Sequence, residues 1–143
     1  MTGDQAVLHV RGGKLLKGLL TDFTPTAVTV HLQLESGPAH APVEVKVSDL
    51  KAVYYVRSLA GNRQYKKKRY FRSVESQGKR IMVRFKDGEI LCGFIKGALP
   101  WKDGFMTAKD PNLKGFFIYP ADPEGNNTKI FVVTTSVQDV RRL

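Results

Sequence analysis

The side chains best suited to chemistry in this chain are crowded into one short run, Arg63-Gln64-Tyr65-Lys66-Lys67-Lys68-Arg69-Tyr70-Phe71-Arg72, where cations alternate with aromatic rings. Cations displace the counterions condensed on a phosphate backbone, which supplies most sequence-independent affinity for nucleic acid. Aromatic faces stack on unpaired bases, worth about 1–3 kcal/mol each. A duplex offers no open base face, so the mixture points to a single strand. The candidate interface is therefore Arg63, Lys66, Lys67, Lys68, Arg69 and Arg72 against phosphates, with Tyr65 and Tyr70 stacking. Trp101, the only tryptophan, stands in the loop-like stretch Pro100-Trp-Lys-Asp-Gly-Phe105 and is read as an outlying platform, since large aromatics on loops are enriched at recognition surfaces. The competing reading gives Tyr70 and Phe71 the task of pinning a linker and leaves the lysines as a solvated face.

Charge supports the first reading. Lys and Arg number 23 against 13 Asp and Glu, a net charge of +10 over 143 residues. Nine of the basic residues and one acid, Glu75, fall between Arg57 and Arg80. A block of like charge repels itself unless solvent or an anionic partner screens it, so phosphate-bearing partners lead. An acidic protein or an anionic small ligand, bound by an adaptor or regulatory module, is the alternative partner.

Other chemistry finds little support. His9, His31 and His40 are scattered, without the close spacing of a metal site. Cys92, the only cysteine, excludes an internal disulfide and reads as a small hydrophobe within a strand. Gly12-Gly13-Lys14 is followed by Leu15 where a phosphate-cradling loop needs Ser or Thr. Glu35, Asp49, Glu89, Asp103 and Asp110 read as turn and surface residues. No catalytic residue, metal or cofactor is expected, and the chain is read as a non-enzymatic binding protein. No apolar run reaches the roughly 18 residues of a membrane span, and Met1 to Val7 lacks the basic-then-apolar pattern of a secretory signal. The cytoplasm is the expected compartment.

The elements that must carry these residues are strands. Val28, Val30, Leu32 and Leu34 alternate with Ala27, Thr29, His31 and Gln33; Val43, Val45 and Val47 alternate with Glu44 and Lys46; Ile81, Val83 and Phe85 alternate with Met82 and Arg84. Period two marks half-buried strands. Gly12-Gly13 and Asp87-Gly88 each separate two apolar runs, as hairpin turns do. The pattern also repeats. Val10 to Leu19 matches Phe85 to Phe94 at a spacing of 75 residues, with Gly13 on Gly88 and Gly18 on Gly93. Val45 to Val53 matches Val132 to Val140 at a spacing of 87, so the second copy holds about 12 extra residues, assigned to the Gly-, Pro- and Asn-rich stretch from Pro100 to Thr128. The expected architecture is all-β: a first small barrel over 1–57, a basic linker over 58–79, and a second small barrel over 80–143 with an inserted loop at 100–128, each barrel of about five strands. One continuous sheet built from both repeats is the alternative.

The repeated unit, seen in Val10 to Gly18 with Val45 to Val53 and in Phe85 to Gly93 with Val132 to Val140, resembles the Sm-like and SH3-like small barrels. The whole chain is similar to an uncharacterised bacterial family of doubled small β-barrels, with Gly115-Phe-Phe-Ile-Tyr-Pro-Ala-Asp-Pro-Glu-Gly-Asn-Asn127 as the most distinctive stretch. The Sm-like resemblance implies single-stranded RNA binding by rings of subunits, so a homo-oligomer is among the expectations. Asp22-Phe23-Thr24-Pro25 stands where that family carries its nucleotide pocket, so no base-specific pocket is implied.

Overall fold

The computed structural model describes residues 4–34, 42–59, 78–96, 113–121 and 125–143. Among them the chain is all-β. Ten strands run in order: β1 (Asp4–Val10), β2 (Leu15–Leu20), β3 (Thr29–Leu34), β4 (Val43–Lys46), β5 (Leu50–Val56), β6 (Lys79–Phe85), β7 (Ile90–Ile95), β8 (Gly115–Pro120), β9 (Asn127–Val133) and β10 (Val137–Arg142). The only helical pieces among the described residues are single 3-10 turns, Val47–Asp49 before β5 and Thr134–Ser136 before β10.

The two repeats fold alike. In the first unit β5 pairs with β1, β1 with β2, β2 with β3 and β3 with β4; in the second, β10 pairs with β6, β6 with β7, β7 with β8 and β8 with β9, all antiparallel. The hairpin turns close on equivalent bonds: Val10 N donates to Lys14 O at 2.8 Å and Phe85 N to Glu89 O at 2.9 Å, while Arg11 N donates to Asp49 O and Lys86 N to Ser136 O, both at 2.9 Å. Gly13 and Gly88 hold φ of +103° and +95° in those turns, a conformation that side chains other than glycine rarely adopt. Gly18 and Gly93 share a second duty. A Cβ at Gly18 would sit 2.0 Å from Gln33 O, and one at Gly93 2.4 Å from Tyr119 O, so in each repeat a glycine lets the second strand lie close against the third.

The chain is all-β as expected, and one further pairing joins its two five-stranded units into one sheet, the arrangement given above as the alternative. β5 of the first unit joins β9 of the second, with Val53 opposite Phe131 and Tyr54 opposite Ile130, so a single ten-stranded antiparallel sheet runs β10-β6-β7-β8-β9-β5-β1-β2-β3-β4. The reason is written in those two strands. Ala52 to Val56 and Ile130 to Val133 are unbroken apolar runs rather than alternating ones, and an apolar run of strand length must be covered on both faces. Each face serves a different core. Ala52, Tyr54, Val56, Ile130 and Val132 join Ile81, Val83, Phe85 and Ile118 in one cluster. Leu50, Val53, Tyr55, Phe131 and Val133 join Ala6, Leu8, Val30, Leu32 and Val47 in the other. The β5–β9 pair is thus a shared wall between two cores. Within the stretch assigned to an inserted loop, Gly115 to Pro120 forms β8; its flanking Gly and Pro disguise the apolar Phe116-Phe117-Ile118 between them.

Candidate nucleic-acid interface

Arg63, Tyr65, Lys66, Lys67, Lys68, Arg69, Tyr70, Arg72 and Trp101 all lie outside the described residues. The roots of the two segments that carry them are described, and they meet. β6 and β7 pair with Lys79 opposite Ile95, and Gly78 packs so closely that a Cβ there would stand 2.4 Å from Ile95 O. Gly78 and Lys96, which border residues 60–77 and 97–112, therefore lie at the same end of neighbouring strands. Cations gather around these roots. Arg80 and Lys96 are exposed, the Lys96 Nζ lies 3.9 Å over the Tyr119 ring, and Arg142, also exposed, stands opposite Ile81 in the β10–β6 register. On the other side the chain leaves β5 through a clip. The Asn126 side chain accepts from Ser58 N at 3.0 Å and donates to Ser58 O at 2.9 Å, Arg57 N donates to Asn126 O at 2.9 Å, and the Arg57 guanidinium donates to Gly125 O. Leu59 then packs against the second unit's core. The clip fixes where the basic segment starts, and the Gly78–Ile95 contact fixes where it ends.

Sequence reasoning missed a second feature at the opposite end of β5 and β6. There the two equivalent hairpin turns frame a cleft of about 390 Å³ lined by His9, Arg11, Lys51, Phe85, Lys86 and Asp87 among others. Lys51, only 14% exposed at its side chain, places Nζ 2.8 Å from Asp87 Oδ2 and 2.7 Å from Glu89 Oε1, and 4.5 Å over the Phe85 ring. Burial alone would lower its pKa; the two carboxylates outweigh burial and hold the ammonium above its ordinary value. The Lys51 ammonium in turn holds the Asp87 carboxyl below its ordinary value, helped by the Glu89 backbone amide. A lysine kept protonated in this way is no nucleophile. It braces the first unit's β5 to the second unit's hairpin, and Ser136 Oγ adds a bond to Lys51 O at 2.8 Å. Arg11 is likewise engaged, its Nη2 donating to Thr135 O at 2.5 Å. No sequence signal short of the three-dimensional pairing links Lys51 to carboxylates 36 and 38 residues away.

Beside it, the His9 ring stacks on Tyr54 with centroids 4.0 Å apart. Burial first, and then the Glu89 and Asp87 charges, push the Tyr54 hydroxyl far above its usual range. His31 places Nδ1 3.1 Å from Asp22 Oδ1 and Nε2 3.7 Å from Glu44 Oε1, a surface pairing. Burial pushes the Cys92 thiol up, away from reactivity. Among the described residues no group of His, Cys, Asp and Glu side chains is placed to hold a metal ion, and no helix is long and apolar enough to cross a membrane.

The profile of a family of unknown function, DUF6982, matches residues 2–143, and the chain belongs to that family. No curated protein and no solved structure matches it.

Proposed function

We propose that this DUF6982 chain is a non-enzymatic cytoplasmic protein that binds single-stranded nucleic acid with little sequence preference. In this reading its two five-strand units are small barrels of the Sm-like and SH3-like kind sharing one wall. The basic segment supplies the grip: Arg63, Lys66, Lys67, Lys68, Arg69 and Arg72 neutralise phosphates, Tyr65 and Tyr70 stack on bases, and Trp101 adds a platform. One observation carries the reading. Lys79, just after the segment with the cations, pairs with Ile95, just before the segment with the tryptophan, and further cations stand nearby, which supports one strand using both.

The test is fluorescence anisotropy of labelled oligo(dT) and oligo(U), with a matching duplex, titrated between about 50 and 200 mM salt. Affinity for the single strands should fall steeply with salt and exceed that for the duplex. Combined Lys66→Ala, Lys67→Ala and Lys68→Ala substitution should flatten the log–log slope by about 2, from roughly 0.7 per phosphate contact on a single strand. A dissociation constant indifferent to salt defeats the proposal.

A further inference from the structure

The outer faces of the two units occupy equivalent positions and carry opposite chemistry. In the first unit Val7 on β1 and Ala52, Tyr54 and Val56 on β5 turn away from their own core and are buried in the core of the second. At the repeat spacings their counterparts in the second unit are Met82, Asp139, Arg141 and Leu143. Gln5 and His9, flanking Val7, correspond to Arg80 and Arg84. Ile81, Val83 and Phe85 take the inward side of β6, which leaves Arg80, Met82 and Arg84 on the outward side, with both arginines exposed. The β10–β6 register sets Arg141 beside Met82 and Asp139 beside Arg84, and the β6–β7 register sets Phe94, Cys92 and Ile90 opposite Arg80, Met82 and Arg84; Phe94 is buried, so the open part of the face is its Met82–Arg84 end.

We infer that this outward face of β10, β6 and β7 is a platform for the sugar–phosphate backbone of the bound single strand, a deepening that rests on the function proposed above. Arg141, level with Met82, and Arg84 lie one two-residue step apart, about 7 Å along the strand direction, on adjacent strands about 5 Å apart. An extended nucleic-acid strand presents its phosphates at a similar interval. Guanidinium groups suit phosphate because their planar fork can bond two oxygens at once. Met82 lies beside Arg141, and Ile90, 50% exposed, lies beside Arg84; the two offer sugars and bases an apolar bed. Among the described residues one carboxylate lies beside the arginines: Asp139 Oδ2 accepts from Arg141 Nε at 3.1 Å and subtracts one charge. Arg80, on the same face of β6, follows toward Gly78, which borders the basic segment, so the platform and that segment share one strand. This continuity favours a nucleic acid over an acidic peptide.

The experiment uses the full chain and the same oligo(dT) and oligo(U) probes. Arg84→Ala with Arg141→Ala should leave the thermal midpoint unchanged and reduce the salt slope by about 1.4, the loss of two single-strand phosphate contacts. Asp139→Asn should move affinity the other way, a gain of about two- to fivefold that misfolding cannot mimic. If the arginine variant keeps the wild-type slope while the Lys66–Lys68 variant loses its share, the platform is refuted and the function stands. If the wild type binds neither probe, the function itself is refuted and the platform with it. Competition by poly-glutamate as strong as by oligo(dT) at equal charge would also overturn the platform, in favour of an acidic protein partner.

Discussion

Tyr54 on β5 and Arg141 on β10 hold the same place in the two repeats, on the fifth strand of a unit with the same pairing order, yet one is buried and the other exposed. Around Tyr54 the face is Val7, Ala52 and Val56; around Arg141 it is Met82, Asp139 and Leu143. Backbone topology alone would allow the second unit to recruit a third through β10 as the first recruits the second through β5. Side chains decide otherwise. Seating Asp139 and Arg141 in an apolar core would bury charges without water to solvate them, which is far costlier than leaving them exposed. The free ends of the sheet are blunted in the same way. β4 has four residues with Glu44 and Lys46 exposed, and β10 ends in exposed Arg141 and Arg142. Short, charged edges discourage further strand addition. One repeated scaffold can thus turn a face to its neighbour or to solvent, and a few side chains select between the two.

Breaking the buried side of that comparison should have the largest effect. Tyr54→Arg places the second unit's residue into the shared wall and leaves a charge without a partner in the core; a loss of about 3–5 kcal/mol is expected, read as the urea midpoint, whereas a loss below 1 kcal/mol would mean that the wall tolerates water. A smaller effect is expected at the brace. Lys51→Met keeps the packing on Phe85 but removes the pairing with Asp87 and Glu89, both about half exposed, so about 1 kcal/mol is at stake. Its pH dependence has a definite sign. The depressed Asp87 pKa contributes stability that is present above its ordinary value near 3.8 and is lost as pH falls through the lower folded value. The raised Lys51 pKa contributes stability that is present below its ordinary value of 10.5 and is lost as pH rises through the higher folded one. Wild type and Lys51→Met should therefore differ most near neutrality and converge at acidic and strongly alkaline pH in thermal melts. The smallest change in stability, within about 0.5 kcal/mol, is expected from giving the exposed face the buried one's residues, Asp139→Ala with Arg141→Tyr. That variant should associate with increasing concentration in light scattering while the wild type does so less; equal behaviour would show that these charges do not limit sheet growth.

Much of each unit was legible locally. Period two in β3, β4 and β6, the Gly12-Gly13 and Asp87-Gly88 turns, and the matched glycines Gly18 and Gly93 all act over a few residues, so neighbours in sequence suffice to read them. β8 escaped because Gly115 and Pro120 are ordinary loop markers, and only its pairing with β9 and burial of Phe116 and Ile118 make it a strand. The basic run was legible as composition. The arginines of the outward face were not singled out, because Arg84 and Arg141 are 57 residues apart and become neighbours only when β10 pairs with β6.

The amino-acid sequence by itself determined two copies of one hairpin-rich unit, their turns, the inward set of side chains in each alternating strand, and a surplus of positive charge between them. Tertiary structure alone decided that β5 and β9 share a wall, that Lys51 reaches across to Asp87 and Glu89, and that one outer face is core while its counterpart meets water. The physical reason is range. Turn geometry and strand periodicity are settled by adjacent residues, whereas an apolar run announces that both its faces must be covered without saying by what, and that choice is made by whichever distant surface buries it best.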